Sequence, residues 1–444
     1  TQRRLFTFML LVLRQSWALL IGMLLLMIGN GLQGTLLGVR GSLENIDSST
    51  MGYIMAGYFL GFLGGSRITP IMLQRVGHVR VFAALGSLVS AAFILYAAIV
   101  DPIAWWLLRV LVGFCFSGIY VVAESWLNDS TSNETRGQTL SLYLIVQMGG
   151  IVLGQLMLNV ADPGGYNLFV LITVLVSISF APMLLSSSPA PLHEASRNMS
   201  LTDLIKASPL ACFGTLVMGG VFSVLFAMSP VYATERSTSY FVTAIFLGGL
   251  LFQYPIGWMS DRLDRRWLII GLTAAGAFAA MLAMFLGSSL WVLYAVALLL
   301  GGCSNPLYSV LVAYANDYLD NDQMTAAAGG LLFINGLGAV SGPIVVGYAM
   351  SHFGIEWFFI TLIVLLSAIC LYGLYRMTQR TYDIGDDASP HLTINYRTGV
   401  IATELAIESA DDAILEDLEE TEEVWEPRPD DSEVINRLED RSDN

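Results

Sequence analysis

Two ionisable residues stand inside a run that is otherwise almost wholly apolar. Arg109 and Glu124 both fall within 103–127, a stretch long enough to cross a bilayer as one helix. A charge at mid-membrane costs about 2.5–3.5 kcal/mol on insertion scales, so it turns toward a protein interior or a wet crevice. At about 100° per residue, Gly113, Tyr120 and Glu124 lie about 40°, 20° and 60° from Arg109, on one stripe. At about 1.5 Å of rise per residue, Glu124 sits roughly 22 Å further along, too far for an ion pair. Arg109 can anchor an anionic group or take part in ion coupling. The alternative is a structural arginine bonded to backbone carbonyls or to amides of neighbouring helices. A desolvated carboxyl at Glu124 suits proton transfer. Its alternative is a salt bridge or latch with Arg67, in the second run.

Other polar side chains interrupt apolar runs in the same way. Asn30 and Gln33 lie in the first run and Gln147 in the fifth, with Gln155 and Asn159 deeper. Gln253 and Tyr254 lie in the eighth, Asn305 and Tyr308 in the tenth, and Asn335 in the eleventh. Each alone suits a hydrogen bond between helices. Together they imply a moderately polar cavity rich in amides and tyrosines.

Metal, redox and nucleotide chemistry find no footing. The four cysteines all sit in apolar runs without CxxC spacing or a histidine neighbour, so they read as buried thiols. No Walker motif, no GxGxxG after a strand and no Ser/His/Asp cluster is present. The expectation is a chain with no cofactor, no metal, no enzyme activity and no nucleic-acid partner.

The elements that must position these residues follow from composition. Only 13% of the 444 residues are charged and the mean hydropathy is +0.64, against about one-quarter charged in soluble domains. Twelve apolar runs are predicted as transmembrane helices. Six lie near 16–38, 51–73, 81–100, 103–127, 138–160 and 166–186. Six more lie near 210–232, 239–260, 268–287, 290–315, 324–350 and 356–377. The runs are unbroken rather than alternating, which favours helices over a barrel. The first follows Arg3, Arg4 and Arg14 without a small-residue cleavage site, and reads as a retained span.

Loop charge orients the bundle. One side carries 13 Lys and Arg and the other only Arg40 and Arg236, so the first side, with both termini, is predicted to be cytoplasmic. The expected location is the inner (cytoplasmic) membrane. The net charge of −15 belongs to a tail: residues 383–444 sum to −16. Its Ile407, Ile414, Leu418 and Val424 fall on helical spacing among acids, which leaves a solvated tail or a docking element for a basic protein partner.

A faint repeat divides the chain. Tyr120, Asn128 and Asp129 recur 188 residues later as Tyr308, Asn316 and Asp317. The same shift sets Gly150 and Gly154 on Gly338 and Gly342, and a shift of 187 sets QRVGHVR (74–80) over DRLDRRW (261–267). Arg109 and Glu124 have no counterpart, meeting Ala297 and Val312. The predicted organisation is a six-helix bundle over 1–186, a cytoplasmic linker at 187–208, a second six-helix bundle over 209–380 and the tail at 381–444. Parallel six-helix repeats are a transporter design with the site between the halves. Pro255, Pro306 and Pro343 mark kinks or hinges.

Several segments resemble the major facilitator superfamily. GWMSDRLDRR (257–266) is similar to its motif A, and PIMLQRVGHVR (70–80) to a degenerate copy keeping Arg75 and Gly77. RVLVG (109–113) resembles motif B with Val112 in place of glutamine, and GLGAVSGP (336–343) resembles motif C. GFCFSGIYVVAESWLND with RGQTLSLY resembles the YcaD-like group. The resemblance implies an all-α membrane fold of two pseudo-symmetric six-helix bundles. It also implies secondary active transport of a small organic solute by alternating access, with a part for Arg109 in proton coupling, beside which Glu124 is the expected protonatable partner. Arg67, Arg75, Asp129, Asp261, Arg262 and Asp317 are then expected at a cytoplasmic gate, with Asp261 and Arg262 as its latch. Two other readings stay open: a non-transporting scaffold or sensor acting through the tail, and an uncoupled facilitator in which Arg109 only grips an anion.

Overall fold

The computed structural model describes residues 2–129, 133–184, 201–233, 238–287, 289–319 and 321–379. The tail, most of the expected linker and the side chain of Asp129 lie outside the described residues. The first half comprises α1 (Gln2–Leu43), α2 (Ser48–Val76), α3 (His78–Ala98), α4 (Pro102–Asp129), α5 (Asn133–Met157, then a 3-10 turn at Leu158–Val160) and α6 (Asn167–Ser179). A short helix at Leu201–Ala207 precedes the second half. There α7 runs from Pro209–Ser223 through a π turn at Val224–Met228 to Ser229–Tyr232. It is followed by α8 (Thr238–Ser260), α9 (Arg265–Leu286), α10 (Leu290–Ser304, resuming at Leu307–Asn316), α11 (Asn321–Phe353) and α12 (Trp357–Gln379).

Ten of these helices are long and apolar enough to span a bilayer among the described residues. The two exceptions have local causes. α6 stops at Ser179 before Phe180 and resumes as Ala181–Leu184, where Pro182 supplies no N–H to bond back across the break. α2 is long but carries Arg67 and Arg75, and it is wedged between α4 and α11, where protein replaces lipid. Elsewhere the outer face is apolar, with Trp291 83% and Phe285 73% exposed, as a lipid-facing surface requires.

Punctuation sets where each helix starts and bends. Asp47 caps α2, its carboxylate accepting from the Ser49 and Thr50 N–H groups at 3.0 and 3.1 Å. Gly77, at φ 82°, turns α2 into α3 through backbone that L side chains rarely adopt. The matching position in the second half, Asp264, instead caps α9 by accepting from Arg266 N–H at 2.8 Å. Pro230 follows the π turn of α7 and Pro306 interrupts α10, each removing one backbone donor. Pro255 and Pro343 lie inside continuous helices.

The two halves repeat one packing scheme. A Cβ at Gly61 or Gly113 would run into the Val110 or Tyr58 carbonyl, so α2 and α4 cross backbone to backbone. Gly248 and Gly301 stand identically against the Leu298 and Ile245 carbonyls, joining α8 to α10. These four sites correspond at the offsets of 187 and 188 found in the sequence. In the same way α1 packs on α5 and α7 on α11.

The halves meet along a seam of α2 against α11. Gly52 abuts the Pro343 backbone, Leu63 abuts Gly336, and the Arg67 guanidinium lies 4.7 Å over the Phe333 ring. Toward the α1–α2 turn they also touch where Gly38 meets Pro230, and where Asn159 Nδ2 donates to Ser239 Oγ at 2.9 Å.

Candidate functional site

Between the halves lies a cavity of about 690 Å³, counting space open to solvent. Its two walls differ in chemistry. The first half contributes Asn30 and Thr35 from α1, Arg109 and Tyr120 from α4, and Gln155 from α5. Tyr58, Phe59 and Phe62 of α2 line that wall as well. The second half contributes Phe222, Phe226 and Ala227 of α7 and Phe246 of α8. One wall is therefore polar and cationic, and the facing wall is aromatic.

Arg109 is the one charged side chain lining the cavity among the described residues, and only 4% of it is exposed. Its Nη1 donates to Gln33 Oε1 on α1 at 2.9 Å. Its Nη2 rests on the Met55 thioether, and Tyr58 holds its ring 5.5 Å from the guanidinium carbon. Nε–H has no acceptor. Neither Gln33 nor Met55 carries charge, and no carboxylate of the described residues pairs with Arg109. The arginine thus has the amide partner expected of a structural residue, yet its charge is left without a counterion in a low-dielectric setting, an arrangement normally avoided.

The remaining polar groups of this wall are largely satisfied internally. Thr35 donates to Gln155 Oε1, and Gln155 Nε2 donates to the Gly31 carbonyl at 2.9 Å. Asn30 Nδ2 donates to the Tyr120 hydroxyl at 3.4 Å, which donates to Met27 Sδ at 3.3 Å.

Glu124 is fully buried but does not line the cavity. Tyr143 of α5 lies within electrostatic reach of Glu124 and Tyr120 and faces Gln147 one turn on. The Tyr143 hydroxyl and both amide atoms of Gln147 are buried without a hydrogen bond of normal geometry. Next along α4, Ser125 Oγ is 2.8 Å from His78 Nε2, which ties the start of α3 to this level. No ion pair between Glu124 and Arg67 is found among the described residues; the Arg67 guanidinium lies across the seam over Phe333.

The other expected site residues separate into two groups. Asn305 Nδ2 reaches Gln253 Oε1 at 3.5 Å, Tyr308 is 3% exposed, and Asn335 Nδ2 bonds the Thr215 carbonyl at 2.9 Å to hold α11 on α7. None of these lines the cavity. Tyr254 is 78% exposed on the outer face of α8, opposite in direction from any interior site.

At the gate, the structure re-pairs the charges. Asp317, at the end of α10, forms an ion pair with buried Arg265 at the start of α9. Asp264 approaches Arg266 at 3.5 Å. The expected latch residues do otherwise: Asp261 is exposed, and Arg262 folds back over the Trp258 ring at 4.3 Å. Arg75 is exposed and makes no ion pair among the described residues. Asp129 falls on undescribed side chains.

Sequence reasoning missed the aromatic wall altogether, along with Thr35, Met55, Tyr143 and Arg265. Phenylalanines in apolar runs give no sign of their direction. A signal existed for Arg265, which stands in the same basic turn as Arg262.

The Major Facilitator Superfamily model matches residues 7–248 and 210–398. The chain is 26% identical over 379 residues to the uncharacterized MFS-type transporter YcaD of Escherichia fergusonii, a match covering 83% of this chain and 97% of that one. Its counterpart in Escherichia coli is 25% identical over 378 residues, with the same coverage. Among solved structures, the nucleoside transporter NupG superposes with a TM-score of 0.65 at 14% identity, covering 83% of this chain and all of that one. A bacterial homologue of the human lysosomal transporter Spinster, inward-facing and unoccupied, superposes at 0.61 with 13% identity, covering 89% and 98%.

Proposed function

The chain belongs to the major facilitator superfamily and is a multi-pass membrane transporter; on that premise we propose that it moves a small organic solute by alternating access, driven by protons. The observation carrying this reading is a cavity whose walls come from opposite halves, so that rocking one half against the other changes its exposure. Contacts at the α1–α2 end join the halves through Gly38 and Pro230 and through Asn159 and Ser239. With the loop-charge bias setting that end outside, both termini inside and the inner membrane as the location, these contacts close the outer end, and the expected route into the cavity is from the cytoplasm. Backbone-close glycine crossings within each half suit rigid-body motion.

Protons enter through Glu124. It is buried between Tyr120 at the cavity wall and the unsatisfied Tyr143–Gln147 pair, a setting in which binding and release of one proton alters local packing. Arg109 binds the solute.

Gly34 supplies the test. It lines the cavity, and a Cβ there meets nothing within 4 Å, so Gly34→Cys is sterically free. With Cys370 replaced by Ser, a membrane-impermeant maleimide should label this cysteine from the cytoplasmic side, and an imposed proton gradient should move labelling to the other side. Glu124→Gln should abolish the shift. Labelling fixed to one side under every gradient ends the alternating-access reading, and a shift that survives Glu124→Gln removes Glu124 from coupling. Deleting residues 383–444 should leave the shift intact, which a tail-driven scaffold would not.

A further inference from the structure

We propose that the cavity is shaped for a flat aromatic monocarboxylate, whose carboxylate docks on Arg109 and whose ring lies against the aromatic wall of the second half. This names the solute class of the transporter read above and rests on that reading.

The sign of the ligand's charge follows from the guanidinium. Nε–H has no acceptor and Nη2 has only a thioether, and these two donors form one edge of the planar group. A carboxylate meets such an edge with two parallel hydrogen bonds. Met55, with three rotatable bonds, can yield that place. One guanidinium and no lining carboxylate among the described residues suit a single negative charge. A second charge on the ligand would find no partner.

The shape of the ligand follows from the opposite wall. The Phe226 ring lies 4.2 Å from Phe222 and 4.5 Å from Phe246, centroid to centroid, tilted 43° and 48° to them. Across the cavity, Phe62 lies 6.2 Å from Tyr58 and 6.1 Å from Tyr120. Faces and edges on both sides favour a planar ring over a branched or hydrated body. A polyhydroxylated solute fits less well, since Thr35, Gln155 and Asn30 already spend hydrogen bonds on one another or on neighbours. Such a ligand touches both halves at once, so occupancy bears on their relative position.

Calorimetry on the purified full chain in detergent tests this with 2-naphthoate, its uncharged isostere 2-naphthamide, naphthalene-2,6-dicarboxylate, octanoate and uridine. Naphthoate should bind, with each other probe weaker by about tenfold or more. Arg109→Met should make naphthoate and naphthamide equal, whereas Phe226→Leu should weaken naphthoate yet keep its preference over naphthamide. Should Arg109→Met fail to fold, Gln33→Glu supplies an internal carboxylate and should equalise the pair in the same way. Equal binding of naphthoate and naphthamide to the unaltered chain, tighter binding of uridine or octanoate, or no binding of naphthoate overturns the proposal. If that happens while Gly34→Cys labelling still alternates, the transporter reading stands and only the solute class falls.

Discussion

The Arg109 guanidinium on α4 reaches across to α1 and donates to the Gln33 amide oxygen at 2.9 Å, and this neutral partner is the strongest one it has. A cation held by an amide is positioned without being neutralised. Gln33→Leu removes the acceptor and leaves a further buried donor unmet, which should cost about 1–3 kcal/mol. Gln33→Glu should do the opposite, raising the melting temperature at neutral pH by pairing the charge. Thermal unfolding of both variants in one detergent checks the sign, and a destabilised Gln33→Glu protein would mean that Arg109 already has a counterion.

Backbone crossings make the second case. Gly113→Ala would press a methyl into the Tyr58 carbonyl, and Gly301→Ala one into the Ile245 carbonyl. Each should lose about 1–3 kcal/mol or more, by equivalent amounts if the halves are equivalent. Gly34→Ala and Gly149→Ala meet open space and should be neutral or slightly stabilising, because alanine favours helix by about 1 kcal/mol over glycine. Melting temperatures of the four variants decide it.

Arg265 and Asp317 form an ion pair between α9 and α10, with side-chain exposures of 6% and 17%. Asp317→Asn leaves a buried guanidinium without its charge partner and should destabilise by about 1–3 kcal/mol. Asp261→Asn should do little, since Asp261 is exposed and unpaired in this state. A double-mutant cycle on Arg265 and Asp317 should show coupling well above that of Asp261 with Arg262.

Asp47 gives a pH signature outside the membrane. Its hydrogen bond from the Thr50 side chain, helped by the Thr50 and Ser49 N–H groups, holds its carboxyl below the ordinary carboxylate range against the opposing effect of burial. The folded value is lowered, so the contribution is whole above about pH 4 and is lost as pH falls through that lower value. Asp47→Ala should cost about 0.5–2 kcal/mol at pH 7 and progressively less toward pH 3. A cost unchanged between those pH values would rule the charged cap out.

Much of the frame was legible before any coordinates. Apolar runs marked twelve spans, ten of which are helices long and apolar enough to cross a bilayer among the described residues, and the offset of 187–188 residues recurs in the paired crossings at Gly61 with Gly248 and Gly113 with Gly301. The stripe argument also put Arg109 and Tyr120 on one interior wall, where both line the cavity. Glu124 is buried in the interior as that stripe requires, but it stands off the cavity and near Tyr143 of α5. Tyr254, expected at the cavity as a polar residue in an apolar run, faces outward, because polarity alone does not tell an inward tyrosine from an outward one.

Hydrophobicity and period are local properties, so the chain's own order of residues determined the spans, the duplication and the confinement of intramembrane charge to the first half. Direction around each helix axis depends on which neighbour it meets, and only the assembled bundle decided that. There Arg67 turned to Phe333, Asp317 took Arg265, and phenylalanines from α7 and α8 became the wall facing Arg109. Between segments more than a hundred residues apart, packing and charge pairing are settled by contact, and contact exists only in three dimensions.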